Sequence, residues 1–89
     1  MATLQVEVIS VERVALSEDE VQVVRVPTLL GEISILPHHE PLVSILVPGV
    51  IEVRLRDRSV HLECGAGFVE VSNNAVAILA EQVKQITKS

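Results

Sequence analysis

The feature that most constrains the fold is the alternation of valine and isoleucine with polar residues in short runs along the whole chain. Both side chains are branched at Cβ, which makes them stiff and favours strands. Turn-forming residues separate the runs at short intervals, a pattern typical of all-β sandwiches and barrels. The sequence therefore predicts an all-β fold.

The amino-terminal third predicts three strands. The inward positions of the first strand are Leu4, Val6 and Val8. Val14 and Leu16 predict a second, short strand, and the acidic run 17–20 predicts the turn that follows it. Residues 21–26 predict the third strand, which the proline-containing segment 27–31 is expected to end.

The middle of the chain predicts two strands separated by a loop. Residues 32–36 alternate, with Ile33 and Ile35 on one face. Segment 37–41 has a proline at each end, and proline removes a ladder donor, so a loop is expected there. Residues 42–47 are apolar on both faces apart from one serine, so this strand needs a cover on its second face, either a neighbouring sheet or another protein.

Residues 51–64 predict a hairpin with one buried face and one charged face exposed to water. Its register has two candidates. A two-residue turn is expected to set Glu52 opposite Glu63, and a four-residue loop to pair Arg54 with Glu63. The second avoids opposed like charges and is preferred.

A second hairpin is predicted near the carboxyl end of the chain. Asn73-Asn74 forms its tight turn, because asparagine tolerates a positive φ. The apolar residues that face each other across this hairpin are Val69 and Val71 on one strand and Val76 and Ile78 on the other. The only ring, Phe68, is predicted to lie in the core, and the polar tail 81–89 is too short for a stable helix by itself.

Length and composition limit the classes of function. Eighty-nine residues make a single domain, 1–89, and 48% hydrophobic residues suffice for a core. A net charge of −5 disfavours nucleic acid and anionic membrane surfaces, and no apolar run reaches the roughly 20 residues of a spanning helix, so we expect no direct membrane insertion. The lone Cys64 and the lack of a leader pattern predict a buried thiol in a cytoplasmic protein.

Three histidines raise the question of a metal site. Imidazole and carboxylate groups at His38, His39, Glu40, His61 and Glu63 suit zinc or iron. Adjacent strand residues point to opposite faces, so His38 and His39 do not easily share one ion. No arrangement typical of a nucleophilic triad or a phosphate-binding loop is visible. We therefore expect no cofactor, metal or catalytic residue; the alternative is a stand-alone metal- or ligand-binding β-barrel that uses His38, His39 and His61.

Segment 31–42, G-E-I-S-I-L-P-H-H-E-P-L, resembles the G-E-x-G-I-L-P-G-H-A-P-L segment of the epsilon subunit of bacterial F-type ATP synthase. Ser34, His38 and Glu40 replace two glycines and an alanine of that pattern. Residues 48–53 resemble the family's P-G-x-I-x-V, and residues 74–80 its N-x-V-x-x-L-A. Residues 67–71 resemble its G-G-F-x-E-V, with Ala66 in place of the first glycine. The resemblance covers essentially the whole chain, in order.

The resemblance implies a fold and a role. The fold is a flattened sandwich of two antiparallel sheets of about five strands each. The role is that of a non-catalytic central-stalk (rotor) subunit, which packs on the gamma subunit and on the polar loops of the c-ring, touches other F1 subunits only indirectly, and couples proton translocation to ATP synthesis. Its implied location is peripheral, at the cytoplasmic face of the bacterial inner membrane, within the F1 sector.

The resemblance also implies which residues make these contacts. Glu32 matches a glutamate of the loop that faces the c-ring, and His39 and Leu42 match the segment near gamma and the ring. His38 and Glu40 belong to the same interface and add bulk and charge where the family is small. Many members continue into a pair of carboxyl-terminal helices; the sequence stops about where they begin, so we expect this regulatory domain to be absent.

Overall fold

A computed structural model describes residues 2–86, which form strands and turns without a helix, as the alternation predicts. No helix in this range is therefore long and apolar enough to cross a membrane. The nine strands of the described range are β1 (Leu4–Ser10), β2 (Val14–Thr28), β3 (Gly31–Ile35), β4 (Leu42–Leu46), β5 (Gly49–Leu55), β6 (Ser59–Cys64), β7 (Gly67–Ser72), β8 (Ala75–Ala80) and β9 (Val83–Ile86).

Strand pairing produces two layers of five strands, because β2 belongs to both. In the first layer the order is β2–β1–β8–β7–β4, with the amino-terminal half of β2. In the second layer it is β3–β2–β5–β6–β9, with the carboxyl-terminal half. The molecule measures 32 × 31 × 23 Å, so the predicted flattened sandwich is confirmed. One pairing departs from the prediction: β1 and β8 run parallel, which is possible because no hairpin connects them.

The long strand β2 corrects the prediction of a turn at 17–20. Ser17 and Glu18 continue the strand and pair with Glu7 and Val6 of β1. Irregularities in the pairing near Val21 mark where the strand leaves the first layer and enters the second. The polar residues of 17–20 are exposed or half-buried, so they suit a strand at the margin of the sandwich as well as a turn. The expected break also comes later, after Thr28.

The core lies between the layers and is built by alternation. The inward residues of β1 are Leu4, Val6 and Val8, as predicted, and each is at most 2% exposed. The second layer contributes Val24, Val53 and Leu62, which are fully buried. Segment 37–41 contains no strand, which confirms the proline argument.

Both predicted hairpins form, but the first has neither of the two registers considered. The amide of Leu55 donates to the carbonyl of Arg58 at 2.7 Å, so the turn contains only two residues. It sets Glu52 opposite His61 and Arg54 opposite Ser59. The preferred pairing of Arg54 with Glu63 is therefore wrong; Glu63 lies opposite Val50, so the actual two-residue turn also avoids opposed like charges.

The second hairpin agrees with the prediction. Asn73 and Asn74 have φ values of 51° and 60°, and Val71 and Val69 lie opposite Val76 and Ile78. Beyond it the chain forms β9, which pairs antiparallel with β6. The polar tail was given no strand by the sequence argument; β9 is half-buried at its ends and takes its order from the edge of β6. Residues 87–89 lie outside the described residues.

Candidate functional site

Residues 29–40 form one border of the sandwich, which we call the β3 rim. It consists of the edge strand β3, which pairs with β2, and the segments on either side of it. Leu29, Leu30 and Leu36 are 65%, 91% and 55% exposed. The exposed leucines at both ends of this edge strand leave apolar surface in contact with water, which is typical of a binding surface.

Glu32 lies near the start of the strand β3, opposite Pro27 of β2. The turn before it is held by Thr28, whose hydroxyl donates to the carbonyl of Gly31 at 2.6 Å and accepts from the amide of Leu30 at 3.3 Å. Gly31 has a φ of 114°, which a residue with a side chain rarely adopts. Within residues 2–86 no cation pairs with the Glu32 carboxylate, so this turn holds a free anionic group at the surface.

The other end of the β3 rim is fastened by Asn74. Its side-chain oxygen accepts from the amide of His38 at 2.7 Å, and its side-chain nitrogen donates to the carbonyl of Thr3 at 2.8 Å. One asparagine thus ties the loop to the β7–β8 turn and to the start of β1. His38 has a φ of 65°, the left-handed region that favours glycine.

His39 and Glu40 lie next in this loop and are exposed. The Nδ1 atom of His39 lies 2.7 Å from the carbonyl oxygen of Glu40, so the ring donates to its own local backbone. The amide of His39 also donates to the carbonyl of Leu36 at 3.2 Å. These bonds hold the loop in one shape.

The structure brings four of the five sequence-predicted interface residues onto one rim, though not to one point. Glu32 lies at the start of β3, and His38, His39 and Glu40 follow its end. Leu42 is different: it opens β4, is half-buried and packs against the core. Its position gives it less surface to offer a partner.

A broad apolar surface was not predicted as a site. It is a line of outward-facing side chains that crosses all five strands of the first layer, which we call the apolar row. Each residue lies opposite the next in the strand register, and the row consists of Ile45, Phe68, Leu79, Ile9 and Val14. Ile45, Phe68, Leu79 and Val14 are 48%, 58%, 47% and 53% exposed.

The prediction that Phe68 lies in the core is wrong. Val69 and Val71 face inward on β7, so the alternation of a strand turns Phe68 outward. That signal was present in the sequence, because the same two valines were predicted to face β8. The expectation that 42–47 needs a cover on its second face fits this arrangement, since Val43 and Ile45 are 69% and 48% exposed.

The outward face of the second layer carries a matching line of residues, polar on every strand except β9, which we call the charged row. It consists of Ser34, Arg25, Glu52, His61 and Ile86, each opposite the next. Glu52 lies between two partners: Oε1 is 3.6 Å from Nη1 of Arg25, and Oε2 is 3.7 Å from Nε2 of His61. Glu52 is thus shared between two basic side chains, whereas the buried Nδ1 of His61 has no hydrogen-bond partner among the described residues.

The histidines do not assemble a metal centre in the described part of the chain. His61 lies on β6 beside Glu52, whereas His38 and His39 lie in the loop after β3. Residues 2–86 contain no group of three or more His, Cys, Asp and Glu side chains placed to hold a metal ion. Cys64 is buried as predicted, and burial raises the pKa of its thiol, which lowers its reactivity.

Residues 3–86 match the family model of the ATP synthase delta/epsilon chain β-sandwich domain. The chain belongs to this family. It is 40% identical over 82 residues to the ATP synthase epsilon chain of Herpetosiphon aurantiacus, an alignment that covers 92% of this chain and 60% of the relative. It is 41% identical over 78 residues to the epsilon chain of Leptospira borgpetersenii, covering 88% and 61%. The chain therefore spans about three-fifths of the length of these epsilon chains.

Two solved structures share the fold of this epsilon-family domain. One is the mitochondrial ATP synthase of Euglena gracilis (OSCP, F1 and c-ring), with a TM-score of 0.88, 23% identity, and coverage of 96% of this chain and 54% of that chain. The other is the central stalk and c-ring of the Tetrahymena thermophila mitochondrial enzyme, with a TM-score of 0.79, 16% identity, and coverage of 94% and 69%. At these identities the likeness concerns the fold alone.

The structure also gives a physical reason for one residue of the epsilon pattern. The motif that 31–42 resembles has glycine where this chain has His38. The φ of 65° there is one that glycine adopts without strain. This chain adopts that φ with a histidine, whose backbone amide donates a hydrogen bond to Oδ1 of Asn74.

Proposed function

We propose that this chain is a non-catalytic rotor component of an F-type ATP synthase, the β-sandwich part of an epsilon subunit. Its task is mechanical: it connects the gamma subunit to the c-ring, so that proton translocation and ATP synthesis stay coupled. The proposed location is the F1 sector at the cytoplasmic face of the bacterial inner membrane. Family membership over residues 3–86 supports the assignment to this complex.

The single observation that carries the proposal is the apolar row. Four side chains that are each about half exposed lie in one line across a sheet whose inner face is already buried. Contiguous apolar patches of this kind mark protein interfaces more often than scattered single residues do. We assign the row to the gamma subunit, because a rotor component needs one broad, permanent contact, and permanent interfaces are the more apolar ones.

The β3 rim is the proposed contact to the c-ring. Glu32, His38, His39 and Glu40 offer charged and polar groups along one border, and these suit the polar loops of c-subunits. An exposed carboxylate such as Glu32 contributes orientation and partner choice more than affinity. Leu42 contributes to this contact indirectly, because its packing on the core fixes the end of the loop that carries His38, His39 and Glu40.

Mixing the chain with purified gamma subunit tests the proposal directly. We expect the two to co-elute in gel filtration as a one-to-one complex. Failure to co-elute at any concentration up to about 100 µM, well above the roughly micromolar Kd of a weak complex, would contradict the role.

The rim assignment has a separate test. Glu32→Lys should weaken association of the gamma complex with c-ring in detergent by several-fold without changing gamma binding or the melting temperature. Glu63→Lys, an exposed reversal on the second layer, is the matched control. If both variants bind the ring equally well, Glu32 makes no contact there.

A further inference from the structure

The apolar row is one part of a larger depression on the first layer, which we call the β8 trough. Small side chains form most of its floor: Ala75 and Ala77 face outward from β8, followed by Leu79. The neighbouring strands raise its walls. The wall residues are Gln5, Glu7 and Ile9 on β1, and Ser72, Glu70 and Phe68 on β7.

The dimensions of the trough suit a helix. Its walls lie two strand spacings apart, about 9.5 Å between backbones. An α-helix with its side chains is about 10 Å across, and alanine on the floor lets it approach closely. A partner strand, in contrast, pairs with the edge of a sheet and gains no hydrogen bonds on its face.

The trough changes character along its length. At one end Phe68 and Ile9 flank Leu79, with Ile45 and Val11 beside them, and Glu81 is the carboxylate at this margin. One step along the strands, Glu7 and Glu70 lie opposite each other across Ala77. Asp19 and Glu18 border the same end, but Glu18 is paired with Arg58 at 3.2 Å.

The carboxylates of Glu7 and Glu70 therefore leave a space between them in which a cation can bind. Both are exposed, and within residues 2–86 neither makes an ion pair. They are separated from the apolar row by two residues of strand, about 6.6 Å. One turn of an α-helix rises about 5.4 Å, so positions three or four apart on a helix reach both places.

We infer that the β8 trough receives one helix of the gamma subunit, which places large apolar side chains on the apolar row and a lysine or arginine, one helical turn away, between Glu7 and Glu70. This inference rests on the proposed function and adds the structure and the charge of the partner segment. The paired carboxylates set the direction and register of the helix, and the apolar row supplies most of the contact area.

A binding experiment with purified gamma subunit separates the two carboxylates from the rest of the surface. The variant Glu7→Lys/Glu70→Lys should bind gamma at least about 10-fold more weakly than the unchanged chain in 50 mM NaCl, and the difference should shrink in 500 mM NaCl. The control Asp57→Lys/Glu63→Lys changes the net charge equally on the second layer and should bind within about 2-fold of the unchanged chain. Circular dichroism checks that both variants remain folded.

Filling the floor of the trough gives a second, charge-free arm. Ala77→Leu should weaken gamma binding by at least about 10-fold, because the added side chain keeps a helix from the floor. Gln85→Leu, an exposed strand position on the other layer, should leave binding unchanged. In the complex of gamma with the unchanged chain, hydrogen exchange should show protection of one helical segment of gamma. This segment should have a basic residue three or four positions from large apolar residues.

The outcomes distinguish this inference from the proposed function. If gamma binds the unchanged chain but tolerates both the charge reversals and Ala77→Leu, the trough inference is wrong and the rotor role stands. If protection on gamma falls on strands or loops, the helix assignment is wrong. If gamma does not bind the unchanged chain at all, the proposed function fails first.

Discussion

The two outer faces of the sandwich cover the same core but differ in what they show to water. Each face has a line of five residues in register across five strands. In the second layer the charged row pairs its own groups, with Glu52 shared between Arg25 and His61. In the first layer the apolar row has four residues that are about half exposed. The outer face of the second layer is therefore largely polar, and that of the first layer exposes a continuous line of apolar side chains.

This difference separates two uses of the same strand pattern. Alternation guarantees an inner face and leaves the outer face free to be polar or apolar at almost no cost to the fold. The inner residues are therefore expected to control stability, and the outer residues of the first layer to control binding. The following substitutions test that division.

Neighbouring residues of β8 give the largest contrast. Ile78 is fully buried and Leu79 is 47% exposed. Ile78→Ala should lower the free energy of unfolding by about 2–5 kcal/mol, because it removes buried methyl groups and leaves a cavity. Leu79→Ala should lower it by less than about 0.5 kcal/mol. Urea unfolding of both variants measures this, and similar losses at the two sites would mean that the apolar row also supports the fold.

Phe68 tests the first layer as a binding face. Phe68→Asp should weaken gamma binding by about 2 kcal/mol or more, roughly 30-fold, while the unfolding midpoint stays nearly unchanged. The control is Val50→Asp, at a valine 41% exposed on the second layer. Isothermal titration with gamma compares the two. Equal losses would show that the apolar row has no special part in the contact.

A substitution in the charged row should change stability in a salt-dependent way and should leave gamma binding unchanged. Glu52→Gln removes the carboxylate that Arg25 and His61 share, and should lower stability by about 0.5–1 kcal/mol, since these groups are partly exposed. The loss should shrink in 1 M NaCl because the ion pair between Arg25 and Glu52 is screened there. Gamma binding should not change. A clear loss of gamma binding would place the partner on the second layer instead.

His38 lies where the chain passes from the second layer to the first, and its effect should be the smallest. His38→Gly should raise the free energy of unfolding by about 0.5 kcal/mol, because glycine adopts the φ of 65° without strain but costs more chain entropy. Leu36→Gly in the same loop is the control and should lower it by a similar amount. Thermal melts measure both, and a destabilised His38→Gly would mean that the histidine ring stabilises the loop.

Alternation was enough to predict the all-β class and the inward residues of β1, and the tolerance of asparagine for a positive φ predicted the Asn73-Asn74 turn. Alternation failed where the answer depends on which strand lies alongside. Ser17 and Glu18 were predicted to lie in a turn because they are polar, yet they continue β2 and pair with β1. The strand β9 also depends on a distant partner, the edge of β6. The β5–β6 register depends on which two residues form the turn.

The two parts of the candidate site also differ in whether the sequence could predict them. The residues of the β3 rim were named only through the resemblance of segment 31–42 to the epsilon family, and they lie on one border because they are nearly consecutive. The apolar row could not be predicted, since its five residues come from five strands and become neighbours only through long-range pairing. Phe68 was also judged by its residue type, although its neighbours Val69 and Val71 already turned it outward.

The passage of β2 through both layers has a mechanical consequence. Two stacked sheets joined only by side-chain packing can slip past each other when a sideways force acts on one of them. Here a single covalent backbone of fifteen residues is bonded to β1 at one half and to β3 and β5 at the other. A force applied at Phe68 is therefore transmitted to the border that holds Glu32 through the continuous backbone of β2 and the strands paired with it.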